Sequence, residues 1–151
     1  MTFKQKNITV TLVNFTLILI FYMFRVFQMA QNDSFTAGNL FRLWGIVIVL
    51  ALGVTLAATI LTQLFSAALE ARKTGDAPVA INDFEDERDR LIDLRGTKLT
   101  YSVSSLGVFV AMLTFVLGQP PLVMFGLLIF FGVLAQIIGD IARLLLYQRG
   151  F

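Results

Sequence analysis

Asp140 is the residue best placed for chemistry in this 151-residue chain. It directly follows an uncharged run, residues 99–139. Gln136 lies four residues before it, Arg143 three after and Tyr147 seven after. On a helix that spacing gathers the four side chains into one polar stripe. A carboxyl group in apolar surroundings is costly unless paired, which makes it a candidate for moving protons or ions. The competing role is a structural clamp, and position favours the clamp. Asp140 falls 19 residues beyond Pro121, about 28 Å along a helix, near the end of a membrane crossing. There it can pair with Arg143 or with the bases of residues 88–98. Gln63 is a further candidate for the same cluster.

A second concentration of charge spans residues 69–98. Asp83, Asp86, Asp89 and Asp93 are the acids a divalent cation would need. Every one has basic neighbours that compete with a cation, and helical spacing scatters them around the axis. The Asp-Gly motif of membrane phosphotransferases is missing. The chain has no Cys and no His, so thiolate nucleophiles, Ser-His systems and His- or Cys-held metals are excluded. No cofactor and no catalytic activity are expected. Asn82 with Glu85 fits a capping box, and Asp86 and Glu87 can each pair with Arg90. A helix is expected from about residue 83, with Phe84, Arg88, Leu91 and Arg95 on one side and Ile92 and Leu94 widening the apolar face. Glu85, Arg88, Arg90 and Arg95 are the candidate partner-docking residues. This helix either lies on the membrane surface or runs straight into the third span; nothing between 83 and 117 forces a break, and Gly96 is the place where a bend would fall.

The elements that must hold these residues are legible from composition. Hydrophobic residues make up 57% and charged residues 15%, with mean hydropathy +0.79. A soluble domain carries about 25% charged residues, so this chain cannot cover itself with polar surface. Residues 43–69 are uncharged as well. Crossing about 30 Å of hydrocarbon takes roughly 20 apolar residues. Four spans are predicted, at about 7–28, 40–68, 99–118 and 122–147. Gly118-Gln119-Pro120-Pro121 divides the last two into a tight antiparallel hairpin. The first apolar stretch is longer than a signal peptide's and no A-x-A site follows it, so it is expected to be retained. Gly45, Gly53 and Ala57 share a side of the second span, and Ser104, Gly107 and Ala111 share one on the third. Such small residues let helix backbones approach closely.

Lys4, Lys6, Arg72, Lys73, Arg88, Arg90, Arg95, Lys98 and Arg149 fall on one side of these spans, and only Arg25 and Arg42 on the other. The positive-inside rule then predicts cytoplasmic termini and a cytoplasmic 69–98 loop in the inner (plasma) membrane.

The run Asp86-Glu87-Arg88-Asp89-Arg90-Leu91-Ile92-Asp93-Leu94-Arg95-Gly96, with Tyr101 and an apolar span after it, resembles a pattern in small uncharacterised bacterial four-span membrane proteins. Those proteins commonly carry Asp-Glu-Arg-Asp/Glu-Arg-x-Ile before their third helix and end in a basic tail similar to Tyr147-Gln148-Arg149. The likeness covers residues 83–149, and the first two spans carry no matching motif. It implies a fold and no activity.

The expectation is therefore an all-α integral membrane protein, one domain of four transmembrane helices with a cytoplasmic helical linker over residues 69–98. Its expected function is non-catalytic, as an accessory, scaffold or self-associating subunit. The alternative is a small oligomeric transporter or channel with the Gln136–Asp140 stripe lining its path. Expected partners are the lipid bilayer and either further copies of the chain or a larger membrane complex, with no nucleic acid.

Overall fold

The computed structural model describes residues 3–74 and 87–149. Four helices account for almost all of them: α1 (Phe3–Gln31), α2 (Ala37–Thr74), α3 (Glu87–Val116) and α4 (Pro121–Gln148). All four are long and apolar enough to cross a membrane. α1, α2 and α3 each begin or end several residues from their expected spans, and α4 differs from its own by one residue at each end. At α3 the charged 87–98 stretch runs straight into the third span as one helix, without interruption at Gly96. Asn82, Asp83, Phe84, Glu85 and Asp86 lie outside the described residues.

The two described turns are built from local signals. After α3, Gly118 takes a left-handed conformation, φ +84°. The Gln119 N–H then reaches the Thr114 carbonyl at 3.1 Å and the Gly118 N–H reaches Phe115 at 3.0 Å, a Schellman stop. Pro120 and Pro121 follow, and Pro121 opens α4 where its missing N–H costs nothing. After α1, Asp33 fills the left-handed position at φ 49°, and the Ser34 N–H reaches back to the Met29 carbonyl at 3.0 Å. Thr36 then caps α2, its hydroxyl accepting from the Asn39 N–H at 3.4 Å.

Packing follows the hairpins. The α3–α4 contact is the most extensive, α1 packs on α4 and on α2, and α2 meets α4 at few positions. Among the described residues α2 and α3 do not touch. The core lies where α1, α2 and α4 converge, around Ile18, Tyr22, Leu43, Val47, Val133 and Ile137.

The two small-residue stripes differ in use. On α3, Gly107 and Ala111 are buried and Ser104 is half-buried. A Cβ at Gly107 would collide with Phe131 of α4, so the close approach requires glycine there. On α2, Gly45, Gly53 and Ala57 are all exposed, and a Cβ at Gly45 or Gly53 would meet nothing within 4 Å.

Candidate functional site: a polar cluster shared by three helices

Asp140 is only 2% exposed. Its Oδ1 accepts from the Arg143 Nη1 at 2.8 Å and from the Gln136 Nε2 at 3.2 Å. Its Oδ2 accepts from the Thr11 hydroxyl of α1 at 3.0 Å. Gln136 and Arg143 reach it because i,i+4 and i,i+3 positions share a helix face. A buried carboxylate with a cation and two further donors is compensated.

Arg143 extends the cluster to α3. Its Nε donates to the Asp93 Oδ1 at 2.8 Å and its Nη2 to the Thr97 hydroxyl at 2.9 Å. The guanidinium lies across Gly96, where a Cβ would collide with the Arg143 side chain. Gly96, where a bend would fall, is used differently here. It opens a bed for Arg143. One turn on, Gly139 of α4 faces Thr100 so closely that a Cβ there would overlap the Thr100 hydroxyl. Thr100 in turn donates to the Gly96 carbonyl at 3.1 Å.

Tyr147 belongs to the same stripe but makes no direct contact with Asp140. Its hydroxyl donates to Asp89 at 2.9 Å, and Lys4 of α1 lies 3.5 Å from the other Asp89 oxygen. Three carboxylates (Asp89, Asp93, Asp140) thus face two cations (Lys4, Arg143). A cavity of about 210 Å³ lies among Lys4, Asp89, Asp93 and Arg143, bounded by Asn7 and Ile92 as well. The residues of 88–98 that meet α4 in these bonds are acids and a threonine: of the two expected kinds of partner for Asp140, Arg143 takes the place and the bases of 88–98 do not.

Thr11 has a feature of its own. Its hydroxyl lies 3.0 Å from Asp140 and 2.9 Å from the Ile8 carbonyl, yet it owns a single proton. With Asp140 ionised, that proton points to the carboxylate. With Asp140 protonated, the carboxyl can donate to Thr11 while Thr11 donates to Ile8. The same heavy-atom arrangement serves both states. Further along this face of α1, Asn7 Oδ1 and Asn14 Nδ2 are buried without a hydrogen-bond partner.

The docking candidates divide. Arg88, Arg90 and Arg95 are exposed on α3, and Glu85 lies outside the described residues. Ile92 and Leu94 do not share a face: Ile92 is 1% exposed and packs inward, whereas Leu94 is 57% exposed. Gln63 is exposed on α2 and makes no bond to the cluster. Among the described residues no three acidic side chains converge as metal ligands would.

Contributors that went unnamed in the sequence include Thr11, Asp93 as a partner of Arg143, Asp89 as a partner of Tyr147 and Lys4, Thr97, and Tyr22. Tyr22 is 2% exposed and donates to the Gly126 carbonyl at 2.7 Å, tying α1 to α4 again. A signal for α1 did exist. Asn7, Thr11, Asn14, Ile18 and Tyr22 repeat at alternating spacings of four and three before a final four, which marks the seam facing a neighbouring helix. No known protein family, curated protein or solved structure matches the chain.

Proposed function

We propose that this chain is an integral inner-membrane protein of bacterial type, with cytoplasmic termini, that acts by contact rather than by catalysis. In this reading it is an accessory, scaffold or self-associating subunit, related to the small four-span proteins that share the Asp86–Ile92 motif. The observation that carries it is the open side of the bundle. An apolar cleft of about 530 Å³ lies between α2 and α4, walled by Phe15, Phe41, Trp44, Phe125 and Ile129. Away from that cleft α2 stands clear of α3. A four-helix chain that acts alone has reason to close such a gap, because helix association in lipid relies on packing. The compensated Asp140 supports the same reading, since its donors Thr11 and Arg143 tie it to α1 and to α3.

Affinity purification from native membranes in mild detergent tests the proposal. Stoichiometric recovery with a larger complex, or as a defined homo-oligomer, is expected. A monodisperse monomer would contradict it. The second reading, a small oligomeric transporter or channel, draws on the Asn7–Thr11–Asn14 seam facing Gln136 and Asp140 and on the two unpaired amide atoms there. Solute or proton flux in liposomes separates the two.

A further inference from the structure

At the end of the bundle away from Asp140, a recess of about 330 Å³ opens between the last turns of α1 and the first turns of α2. Arg25, Gln28, Asn32, Asn39 and Arg42 line it, and Leu43, 1% exposed, lies at its base. Arg25 lies 14 residues from Thr11, about 21 Å along the helix. These are the two cations that break the otherwise one-sided distribution of Lys and Arg.

Neither arginine has a carboxylate partner among the described residues. Arg25 donates one bond, from Nη1 to the Gln28 Oε1 at 3.0 Å. Arg42 makes no ion pair or side-chain hydrogen bond among the described residues. Asp33 is close in sequence, yet it forms no salt bridge with either. It serves the turn instead, in its left-handed conformation. The rim is fixed from within, because the Asn39 Nδ2 donates to the Ser34 carbonyl at 2.9 Å. Two guanidiniums from different helices therefore share one recess with unspent donors. Guanidinium forks match phosphate oxygens in geometry and charge.

The surface beyond the recess is apolar. Arg42 heads a face of α2 that continues through Ile46, Val49 and Gly53, all exposed, Val49 at 70%. Gly53 leaves open space on that face. Trp44 lies half a turn away, at the level where aromatic side chains mark a membrane interface. An anionic head beside the arginines and acyl chains along Ile46–Gly53 fit this surface in one piece.

We infer that the Arg25–Arg42 recess binds one phosphate-ester headgroup, that of an anionic membrane phospholipid. This rests on membrane insertion and holds whether the chain acts by contact or by transport. The test is native mass spectrometry of the full chain in detergent, titrated with phosphatidylglycerol, phosphatidylcholine and glycerol phosphate. The wild type is expected to retain one phosphatidylglycerol about tenfold better than phosphatidylcholine, the scale of one charge-assisted hydrogen bond. Arg25→Gln with Arg42→Gln should abolish that preference. Arg25→Lys with Arg42→Lys should keep most of it, and Arg149→Gln, at the other end, should keep all of it. A wild type without preference, or a Gln pair that retains it, overturns the assignment. Displacement of the lipid by equimolar glycerol phosphate would also overturn it, by moving the site to soluble phosphate esters.

Discussion

Removing Arg143 should harm the bundle more than neutralising Asp140, although the two form one pair. The structure shows why. In Arg143→Ala, Asp140 keeps Thr11 and Gln136 but loses the one cation that pairs with it among the described residues, at a position only 2% exposed in the native bundle. A buried charge stranded in this way costs about 3–5 kcal/mol. The Arg143–Asp93 bond lost with it contributes little, because the Asp93 side chain is 66% exposed and water replaces the arginine. In Asp140→Asn the outcome differs. The amide oxygen can still accept from Arg143 or Gln136, and the amide N–H can donate to Thr11, whose own proton turns to Ile8. Arg143 keeps Asp93 and Thr97 and is not stranded. A loss of about 1 kcal/mol is expected, the scale of one net hydrogen bond. The double variant Asp140→Asn with Arg143→Ala should be more stable than Arg143→Ala alone, because the stranded charge has gone. Thermal unfolding in one detergent, with all four proteins measured side by side, supplies the double-mutant cycle. If Arg143→Ala is no worse than Asp140→Asn, or the double variant is the least stable of the four, the compensated-charge account is wrong.

Other expectations are checked by similar means. Gly107→Leu should destabilise the α3–α4 hairpin by about 1–3 kcal/mol through collision with Phe131, whereas Gly45→Ala should leave thermal unfolding unchanged. Tyr22→Phe should cost about 0.5–1.5 kcal/mol by removing the bond to the Gly126 carbonyl, with the ring's packing kept. Because the chain has no Cys, single cysteines at Lys4, Thr74 and Phe151 can be labelled without background, and all three should be protected from impermeant reagent in intact cells. Elemental analysis of the purified protein should find no stoichiometric zinc, iron or copper, since neither His nor Cys is present to hold one.

The helices themselves were easy to read because their signal is compositional. Charge-free runs of membrane-spanning length survive any uncertainty about faces, and Gly118 before two prolines ends a helix in almost any context. The Gln136–Asp140–Arg143 grouping was legible too, since i,i+3 and i,i+4 relations depend on one helix alone. What lay beyond reach was which faces meet. Thr11 and Asp140 are 129 positions apart, and nothing local to α4 says that a threonine of α1 completes it. Gly96 shows the same limit from another side. A glycine between a charged stretch and an apolar one reads as a bend, but its missing side chain serves Arg143 of another helix. The equal-looking small-residue stripes of α2 and α3 also needed the fold to part them. Only the α3 stripe has a bulky neighbour, Phe131, lying on it.

A buried acid that holds helices together, in a protein proposed to act by contact, passes no protons. Proton flux into liposomes, followed with an enclosed pH-sensitive dye under an imposed gradient, tests this. Wild type and Asp140→Asn are both expected to leave flux at the level of protein-free liposomes. A wild-type flux that Asp140→Asn abolishes, with unfolding temperature unchanged, would contradict it and assign Asp140 to a transport path.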